Sequence, residues 1–379
     1  MNNLGKRIIV YYSKFNIGGA ERSLSRMMNA LCREGHTVVL LTKYGGGSCE
    51  SMLDSGIKHI SLAPDNDFIC KHGISSVFAR CRTLARQAMT CVKLYLKRES
   101  FDLLILGSQG ASPTLPTAVF DPKLTVKCIR NDLLHCNGRE HGIRNIKKYK
   151  DIIDYYLCVS LTAKESLCTV VPEVAEKSLV YYNFLDIDDM KNKISTANNP
   201  FESDGKVHIV TVCRVSDVSK GVFRMLNVCE RLLKSGYPIE WYLVGDGDDY
   251  SKLWDEVVKR KMTDSFIMVG KIDNPFGYYA NADLVAVLSY YEGLCGVVNE
   301  AKVSGAAVIA TEFSGIHEQI DHGINGWIVD NSEEAIYDGM AYLLDHRDIL
   351  SNLKNTIYPS EIIDDKSKLD KLYKLAGWI

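Results

Sequence analysis

Residues 282–311, ADLVAVLSYYEGLCGVVNEAKVSGAAVIAT, contain a complete strand–helix–strand unit. The run "DLVAVLS" is apolar throughout, as in a strand covered on both faces, and "AAVIAT" repeats that pattern after a helical stretch that ends at Gly305. Two strands joined through a helix lie parallel in one sheet. The stretch therefore predicts a doubly wound α/β domain, and it places two carboxylates, Glu292 and Glu300, in the loop and helix that connect the strands.

The same alternation of short apolar runs and helical patterns extends over both halves of the chain. Further strands are predicted at "RIIVYY", "HTVVLLT", "DLLIL" and "LTVKCI" in the first half, and at "KVHIVTV", "IEWYLVG", "SFIMVG" and "GWIVD" in the second. Because 379 residues are too many for one ordinary core, the pattern predicts two facing Rossmann-like domains with an inter-domain cleft. We expect an N-terminal domain over 1–185, a polar linker over 186–205, a C-terminal domain over 206–355 and a helical segment over 356–379 that packs back on the N-terminal domain.

The composition argues against several classes of protein. Hydrophobic residues make up 46% and charged residues 24% of the chain, as in folded globular proteins, and no apolar run reaches the length that spans a bilayer. The opening "MNNLGKRIIVYYSKFN" lacks the features of a signal peptide, so a cytoplasmic location is expected. The 12 Cys are scattered without a C-x-x-C pair, which indicates reduced thiols and argues against a disulfide framework or a zinc site.

Charge is distributed unequally between the two halves. Residues 1–180 contain 25 Lys and Arg against 16 Asp and Glu, a net charge of +9, whereas residues 181–379 contain 20 against 31, a net charge of −11. Two halves of opposite sign indicate two domains that meet different chemistry.

The first half also contains a basic amphipathic stretch. From Phe68 to Arg98 there are seven Lys and Arg and no acidic residue, and a second basic cluster, "REHGIRNIKKYK", follows. Apolar residues recur there at helical spacing: Ile74, Val77, Phe78, Cys81, Ala85, Ala88, Val92 and Tyr95. A cationic stripe lies beside them: Arg82, Arg86, Lys93 and Lys97. Such a surface predicts contact with an anionic membrane, and the alternative is a solvated helix face.

Two glycine-containing loops follow predicted strands. In "FNIGGAERSL", Gly18 and Gly19 let the backbone approach a ligand at a helix start that can hold an anion, although a tight connection alone would need the same residues. In "TVCRVSDVSKG", Arg214 and Lys220 follow a strand and precede a helix, which suits a diphosphate; ordinary surface cations are the alternative.

The remaining motifs suit hydroxyl groups better than phosphates. Gly245 in "YLVGDGDDYSKL" lies beside acids that would repel phosphate, so we expect this turn to face a base or ribose. Glu292 and Glu300 can accept hydrogen bonds from vicinal hydroxyls, which sugars and ribose present. Taken alone, Glu300 is also explained as a helix-start acid that offsets the helix dipole.

With Glu292 and Glu300 in an E-x7-E pattern, the chain resembles the retaining, nucleotide-sugar-dependent glycosyltransferases of family 4, which have the GT-B fold, and within them the bacterial surface-polysaccharide type. The resemblance includes "FNIGGAERSL", "CRVSDVSKG", "YLVGDGDDYSKL", "MVGKIDNPFGYYANADLVAVLSYYEG" and "ATEFSGIHEQIDHGINGWIVD". It covers most of residues 7–345 and is densest over 206–330. Cys213 stands where the family usually has Gly.

The resemblance implies the role of each residue. Glu300 would bind the ribose hydroxyls, and Arg214 and Lys220 the diphosphate. The implied donor-binding set is Gly18, Gly19, Arg214, Lys220, Gly245, Glu292, Gly293, Leu294, Cys295, Gly296, Val297 and Glu300. The implied catalytic set is Glu292, Arg214, Lys220 and Asn131. Protein cations and helix-end N–H groups can stabilise the leaving diphosphate, so neither a metal nor a further cofactor is expected.

The acceptor side is less defined. In "KCIRNDLLHCN", Arg130, Asp132 and His135 are assigned to acceptor binding and Asn131 to the donor sugar. Which of them approaches that sugar stays open, since many relatives have a His at about this position. His135 is also explained as an ordinary loop histidine.

These observations predict a glycosyltransferase of cell-surface polysaccharide biosynthesis. It would transfer a sugar from a UDP-sugar or similar donor to a glycan or lipid-linked glycan with retention, on the cytoplasmic face of the inner membrane. A nucleotide-sugar epimerase or hydrolase of the same fold and a non-catalytic scaffold are the alternatives. A phosphorylase would need a longer chain and a pyridoxal lysine motif. The basic surfaces lack a base-reading motif, so no nucleic-acid partner is expected.

Overall fold

The chain divides into two compact units. The computed structural model describes residues 5–16, 18–64, 74–97, 99–136, 139–354 and 357–379, with the side chains of residues 74–78 left out. Unit 1 consists of Met1–Phe184 with Asp364–Ile379, and unit 2 of Leu185–Ile363.

Unit 1 is built on a parallel sheet. Its described strands are β1 (Arg7–Tyr12), β2 (Thr37–Thr42), β3 (Lys58–Ser61), β4 (Leu103–Leu106), β5 (Thr125–Ile129), β6 (Tyr155–Cys158) and β7 (Ser178–Val180). They lie in the order β3-β2-β1-β4-β5-β6-β7, and every pair is parallel. The helices are α1 (Gly19–Arg33), α2 (Ile74–Leu96), α3 (Thr114–Phe120), α4 (Arg139–Tyr149), α5 (Leu161–Val170) and, after unit 2, α16 (Asp365–Leu375).

Unit 2 repeats this plan with a smaller sheet. Its described strands are β8 (Val207–Val212), β9 (Ile239–Val244), β10 (Phe266–Gly270), β11 (Leu284–Val287), β12 (Val308–Thr311) and β13 (Trp327–Val329). Their order is β10-β9-β8-β11-β12-β13, again parallel throughout. The helices are α6 (Ile187–Ser195), α7 (Asp217–Lys220), α8 (Val222–Lys234), α9 (Tyr250–Lys259), α10 (Phe276–Asn281), α11 (Gly296–Val303), α12 (Ile316–Gln319), α13 (Glu333–Asp345), α14 (Arg347–Asn352) and α15 (Ser360–Ile363).

Each unit has its own apolar core. In unit 2, Trp241 and Phe266 are fully buried beside α8, whose Met225, Leu226 and Leu232 face the sheet. In unit 1, the buried residues of β1 and β4 pack against α1. Continuous burial along the central strands explains why they read as uninterrupted apolar runs in the sequence.

All ten strands predicted from the sequence are present, and three short ones were missed. β3, β6 and β7 have only three or four residues each, which is too short to give a clear apolar run in the sequence. The segment expected as a linker over 186–205 begins with α6, which contacts α10 within unit 2.

The last part of the chain contacts unit 1 through buried polar groups. Tyr181 Oη donates to the backbone oxygen of Lys368 at 2.9 Å, and the ring of His36 lies 3.0 Å from the Tyr373 hydroxyl. The helical segment expected over 356–379 is split: Ser360–Ile363 belongs to unit 2 and Asp365–Leu375 to unit 1.

Candidate active site

The topology of unit 2 marks one position on its sheet. β8 is the first strand of the unit; β9 and β10 follow on one side of it, while β11 starts the other side. Ligands of doubly wound sheets bind outside the carboxyl ends of the strands at such a switch point. A small cavity lies there. It is lined by Thr211, Val212, Cys213, Lys220, Met225, Ala286, Val287, Leu288, Ser289, Glu292, Cys295 and Val297.

Two residues assigned to catalysis, Lys220 and Glu292, meet at this cavity. Lys220 Nζ forms an ion pair with Glu292 Oε1, and the Ser289 hydroxyl donates to the same oxygen at 2.8 Å. Both side chains are largely buried. Burial lowers the pKa of Lys220, but the Glu292 carboxylate outweighs burial, so the pKa lies above its usual value. The ammonium group is therefore charged at neutral pH and keeps further N–H donors for an anion.

The two helix starts near the cavity differ. The N–H of Phe223 in the first turn of α8 donates to Asp217 Oδ1 at 3.1 Å, so a carboxylate already caps that helix. α11 has no acidic residue in its first turn and no side-chain oxygen at its N-cap, Cys295. Of the two helix starts, that of α11 is thus the better place for a phosphate oxygen.

Cys295 lies buried at this helix start. Burial, and then the nearby Glu292, raises the pKa of its thiol to about 12, which leaves the sulfur neutral. The backbone N–H groups of Val297 and Val298 point toward it. Sulfur is a weak acceptor, so these groups keep most of their capacity for an anion.

Glu300, which is assigned to the ribose hydroxyls, is buried. It lies in α11, only 5% exposed, and its Oε2 accepts a hydrogen bond from the Tyr279 hydroxyl at 3.3 Å. Gly293 and Leu294 are buried in the loop before the helix, while Gly296 and Val297 are half-buried. The ribose assignment stays a prediction.

Two further predicted residues, Arg214 and Gly245, lie in the loops beside the cavity. Arg214 is exposed, and no described residue lies within hydrogen-bond or ion-pair distance of its guanidinium group. Gly245 has a φ of +145°, and a Cβ on it would collide with the backbone oxygen of Cys213. Gly245 is therefore needed for the close contact between the loops after β9 and β8, whatever it does for a ligand.

Several residues that hold the Glu292 loop were not found from the sequence. Gln319, fully buried, accepts from the N–H of Cys295 at 3.0 Å and donates to its C=O at 2.8 Å. Asn331 Nδ2 donates to the backbone oxygens of Ser289 and Tyr290. The quoted stretch "SGIHEQIDHG" contains Gln319, but a buried amide leaves no periodic signal.

A buried arginine supports the same loop from the other side. Arg224 donates to the backbone oxygen of Leu288 and, at 2.7 Å, to Asn331 Oδ1, and its guanidinium lies 3.9 Å from the ring centroid of Tyr290. In the sequence it looks like one more helix-face cation. The loop that bears Glu292 is thus held at both ends by buried polar side chains.

In unit 1, the two glycines after β1 differ in their surroundings. Gly18 is the N-cap of α1, and a Cβ on it would collide with the carboxylate of Glu21, which accepts from the Tyr12 hydroxyl at 2.9 Å. A Cβ on Gly19 would meet no atom within 4 Å. Because Glu21 already places negative charge at this helix start, an anion is less favoured here than at α11.

The acceptor-side residues lie after β5 in the same unit. Arg130 donates to Asn183 Oδ1 at 2.7 Å and to the Gly107 oxygen at 3.3 Å, which ties together the loops after β5, β7 and β4. Asp132, 3% exposed, accepts from the Leu134 N–H at 2.8 Å and pairs with the exposed His135 ring at 2.7 Å.

Asn131 is half-buried in the same loop, between Arg130 and Asp132. The structure therefore brings Arg130, Asp132 and His135 to one end of the unit 1 sheet. Their assignment to an acceptor, and that of Asn131 to the donor sugar, stay predictions.

Part of the chain is similar in sequence to known glycosyltransferases. Residues 193–358, which contain Arg214, Lys220, Glu292 and Glu300, match the family model described as glycosyl transferases group 1. The chain is 25% identical over 250 residues, 62% of its length, to an uncharacterized glycosyltransferase of Methanocaldococcus jannaschii. It spans 63% of the length of that relative. It is 26% identical over 257 residues to an uncharacterized 41.2 kDa protein in the cps region of Klebsiella pneumoniae, covering 63% of this chain and 68% of that protein.

A solved structure has the same fold. The HepE protein of Anabaena, crystallised in complex with UDP and glucose, superposes with a TM-score of 0.77 at 16% identity over 99% of this chain and 100% of that one. The predicted fold class, two Rossmann-like α/β domains of the GT-B type, is confirmed.

Proposed function

We propose that the chain is a glycosyltransferase that transfers a sugar from a nucleoside-diphosphate sugar, UDP-sugars first, to a glycan or lipid-linked glycan in cell-surface polysaccharide biosynthesis. The observation that carries the proposal is the Lys220–Glu292 pair beside the start of α11, at the switch point of unit 2. The match of residues 193–358 to a glycosyltransferase family model supports it independently.

The charges at the cavity suit a leaving diphosphate. Lys220 is held at one side of its ammonium group by Glu292, whose Oε1 is fixed in turn by the Ser289 hydroxyl, so the remaining N–H donors of Lys220 have a fixed direction. Arg214 is exposed beside it, and the N–H groups of Val297 and Val298 start α11. Together these groups stabilise negative charge that grows on the phosphate oxygens as the sugar leaves. We include in the proposal that no divalent metal is needed at this site.

We also propose that configuration is retained. The acceptor oxygen bonds to the anomeric carbon on the face from which the diphosphate oxygen departs, and the acceptor proton passes to that departing oxygen. No side chain then has to act as a strong base. Glu292 fits this scheme because its charge, beside the sugar, favours the positive character that develops at the anomeric carbon.

The first experiment measures donor binding. Purified protein is heated with UDP-, GDP- and ADP-sugars in the presence of EDTA, and the melting temperature is compared with that of the free protein. Stabilisation by one nucleotide class without metal is expected and identifies the base. Absence of stabilisation by every nucleotide sugar contradicts the proposal and favours the scaffold alternative. Stabilisation that EDTA abolishes contradicts metal independence alone.

A product assay then separates transfer from the related activities. The donor that stabilises the protein is incubated with and without glycan acceptors, and both the nucleotide and the sugar are analysed. Release of the nucleoside diphosphate only when an acceptor is present, with a product of the same anomeric configuration as the donor, is expected. Free sugar or an epimerised donor without acceptor would point to the hydrolase or epimerase alternative.

The acceptor is proposed to be presented at an anionic membrane surface. Several large apolar residues of α2 are exposed: Leu84 (63%), Met89 (56%), Val92 (56%), Tyr95 (59%) and Leu96 (72%). The predicted apolar residues Cys81, Ala85 and Ala88 are exposed as well, whereas the side chains of Ile74, Val77 and Phe78 lie outside the described residues.

Basic residues stand among these exposed apolar ones. Arg82, Lys93 and Lys97 are exposed, and Arg86 is half-buried. Apolar side chains beside cations are what a surface-bound helix presents to anionic lipid. In the part of the chain that the structure describes, no helix is both long and apolar enough to cross a bilayer.

Sedimentation with vesicles tests this. The protein is expected to bind vesicles that contain phosphatidylglycerol more strongly than neutral phosphatidylcholine vesicles, and salt should weaken the binding. The double variant Lys93→Gln, Lys97→Gln should lose that preference, while the matched variant Lys259→Gln, an exposed lysine of α9, should keep it. Equal binding to both kinds of vesicle contradicts the electrostatic part of the proposal.

A further inference from the structure

Three possible metal ligands meet at the amino-terminal edge of the unit 2 sheet, the opposite end of β8 from the candidate active site. Asp204 precedes β8, His208 is its second residue, and Glu240 is the second residue of β9. His208 and Glu240 are direct partners in the register of the two strands. One donor atom from each of the three residues lies within 4.8 Å of the others.

The His208 ring is buried and fixed. The residue is 8% exposed, and its ring stacks on Phe201 at a centroid distance of 4.6 Å and an angle of 7°. Its Nε2 atom is buried and has no hydrogen-bond partner among the described residues. A buried ring nitrogen without a partner costs free energy, so the arrangement indicates a ligand for that nitrogen.

The nearest groups to Nε2 are carboxylate oxygens. Asp204 Oδ1 lies at 3.6 Å and Glu240 Oε2 at 3.9 Å. These distances are long for hydrogen bonds. They are close to the separation of about 3.4 Å between two ligands of a tetrahedral Zn²⁺ with bonds of about 2.1 Å. Small movements of the exposed Asp204 would complete the geometry.

A third carboxylate lies near the other ring nitrogen of His208. Asp283 Oδ2 lies 3.8 Å from His208 Nδ1 and accepts the backbone N–H of His208 at 2.9 Å. With a carboxylate on this side as well, the neutral ring can hold its proton on Nδ1 and present the lone pair of Nε2 to a cation, as in many zinc sites.

Lys206 neutralises part of the acidic charge through different oxygens. Its ammonium group pairs with Glu240 Oε1 and, at 3.0 Å, with Asp204 Oδ2. The oxygens that face His208 accept hydrogen bonds from uncharged donors: Asp204 Oδ1 accepts the Lys206 backbone N–H at 3.0 Å, and Glu240 Oε2 accepts the Tyr242 hydroxyl at 2.6 Å. Each carboxylate oxygen can accept more than one bond, so a cation and Lys206 are competitors without excluding each other.

We propose that Asp204, His208 and Glu240 bind a Zn²⁺ ion that ties the start of β8 to β9 and so stabilises unit 2. One imidazole nitrogen and two carboxylate oxygens are ligands that zinc accepts, with water in the remaining position. The sequence predicts no metal because Glu240 comes from a different strand, so the set has no continuous spacing. The inference does not depend on the proposed function, since the candidate active site lies at the other end of β8.

The test is a calorimetric titration of the EDTA-treated, dialysed protein with Zn²⁺, with melting temperatures measured in parallel. One zinc per chain and a higher melting temperature are expected. Asp204→Asn should weaken zinc binding by at least about tenfold and abolish the thermal stabilisation. Because Asp204 is exposed whereas His208 is buried, Asp204→Asn should still fold if His208→Asn does not, and the test then rests on Asp204→Asn.

Lys206→Met is the matched control. It removes the competing cation and no ligand, so zinc should bind as tightly as in the wild type or more tightly. The proposal is overturned if the wild type takes up no zinc. It is overturned equally if Asp204→Asn and wild type bind zinc alike, because the metal is then held elsewhere, for example by cysteine thiols. Nucleotide-sugar binding should be the same with and without zinc, which separates this result from that of the proposed function.

Discussion

Units 1 and 2 arrange their strands alike and place different chemistry at the same point. In each, the first strand of the unit pairs with the second on one side and with the fourth on the other. In unit 2 the switch point has the Lys220–Glu292 ion pair and a helix start without an acid. In unit 1 the helix that follows the first strand has Glu21 in its first turn.

This difference makes unit 2 the better candidate for binding the anionic part of the proposed donor. A diphosphate needs cations and unblocked N–H groups, which unit 2 provides. Unit 1 provides Arg130, which is already bonded to Asn183 and Gly107, and the start of α1, where Glu21 already places a negative charge. The scaffold is therefore shared while the chemistry lies in the loops, and the two units can be tested separately.

The largest expected effect separates the two members of the ion pair. Glu292→Ala should lower the rate of sugar transfer by about 10²- to 10³-fold while nucleotide binding is kept, because the bound diphosphate then supplies the negative charge that keeps the buried Lys220 protonated. Lys220→Ala should instead weaken nucleotide binding by about 10- to 100-fold. Calorimetry with UDP and a transfer assay measure the two quantities. Wild-type turnover in either variant would contradict the assignment of the active site to unit 2.

Arg130→Met tests whether unit 1 contributes to transfer without binding the nucleotide. Transfer should fall by about 10- to 100-fold, since the variant releases the loops after β4 and β7 from Arg130, whereas UDP should bind as in the wild type. Lys123→Met, which removes an exposed cation of the same unit, is the control and should leave both quantities unchanged. Loss of UDP binding in Arg130→Met would show that unit 1 also holds the nucleotide.

The fold was more predictable than the site. Central strands are buried on both faces, so "KVHIVTV" and "ADLVAVLS" could be recognised from apolar runs alone. The short edge strands β3 and β7 have no such run, and both were missed. Glu292 and Lys220 could be singled out because charged residues beside glycines at strand ends are conspicuous.

The groups that position those residues could not be found this way. Gln319 and Arg224 act through backbone oxygens and N–H groups that are distant in sequence, and such contacts leave no spacing. The burial of Glu300 could not be predicted either, because a single sequence shows that an acid lies in a helix but not that the acid is buried and bonded to Tyr279. Burial of polar groups is a tertiary property.

Gln319→Leu tests whether the Glu292 loop must be held. The variant removes both hydrogen bonds to Cys295, so transfer should fall by about tenfold with little change in UDP affinity. Tyr358→Phe is the matched control, since it removes a hydroxyl from the same buried network and leaves Cys295 held. Equal losses of melting temperature and activity in both variants would show that the network stabilises unit 2 as a whole and does not position the loop.

The smallest expected effect compares two buried lysines, one in each unit. Lys127, in unit 1, donates to the Ala111 oxygen and to Asn145, and burial lowers its pKa to about 7. Lys302, in unit 2, donates to the Leu353 and Ala306 oxygens, and burial lowers its pKa to about 8. Near and above these values the unfolded chain binds more protons than the folded one. Stability from each lysine is therefore fully present above the usual pKa of about 10.5 and is lost as the pH falls through the folded value.

The comparison with methionine variants isolates this contribution. Between pH 7 and 9, the free energy of unfolding of the wild type should rise relative to Lys127→Met by at most about 1.4 kcal/mol per pH unit. Relative to Lys302→Met the rise should begin about one pH unit higher, in keeping with the higher pKa of Lys302. Urea unfolding followed by circular dichroism at several pH values measures both. A difference that is constant with pH would mean that these lysines stay charged inside the fold and that their carbonyl partners compensate for burial.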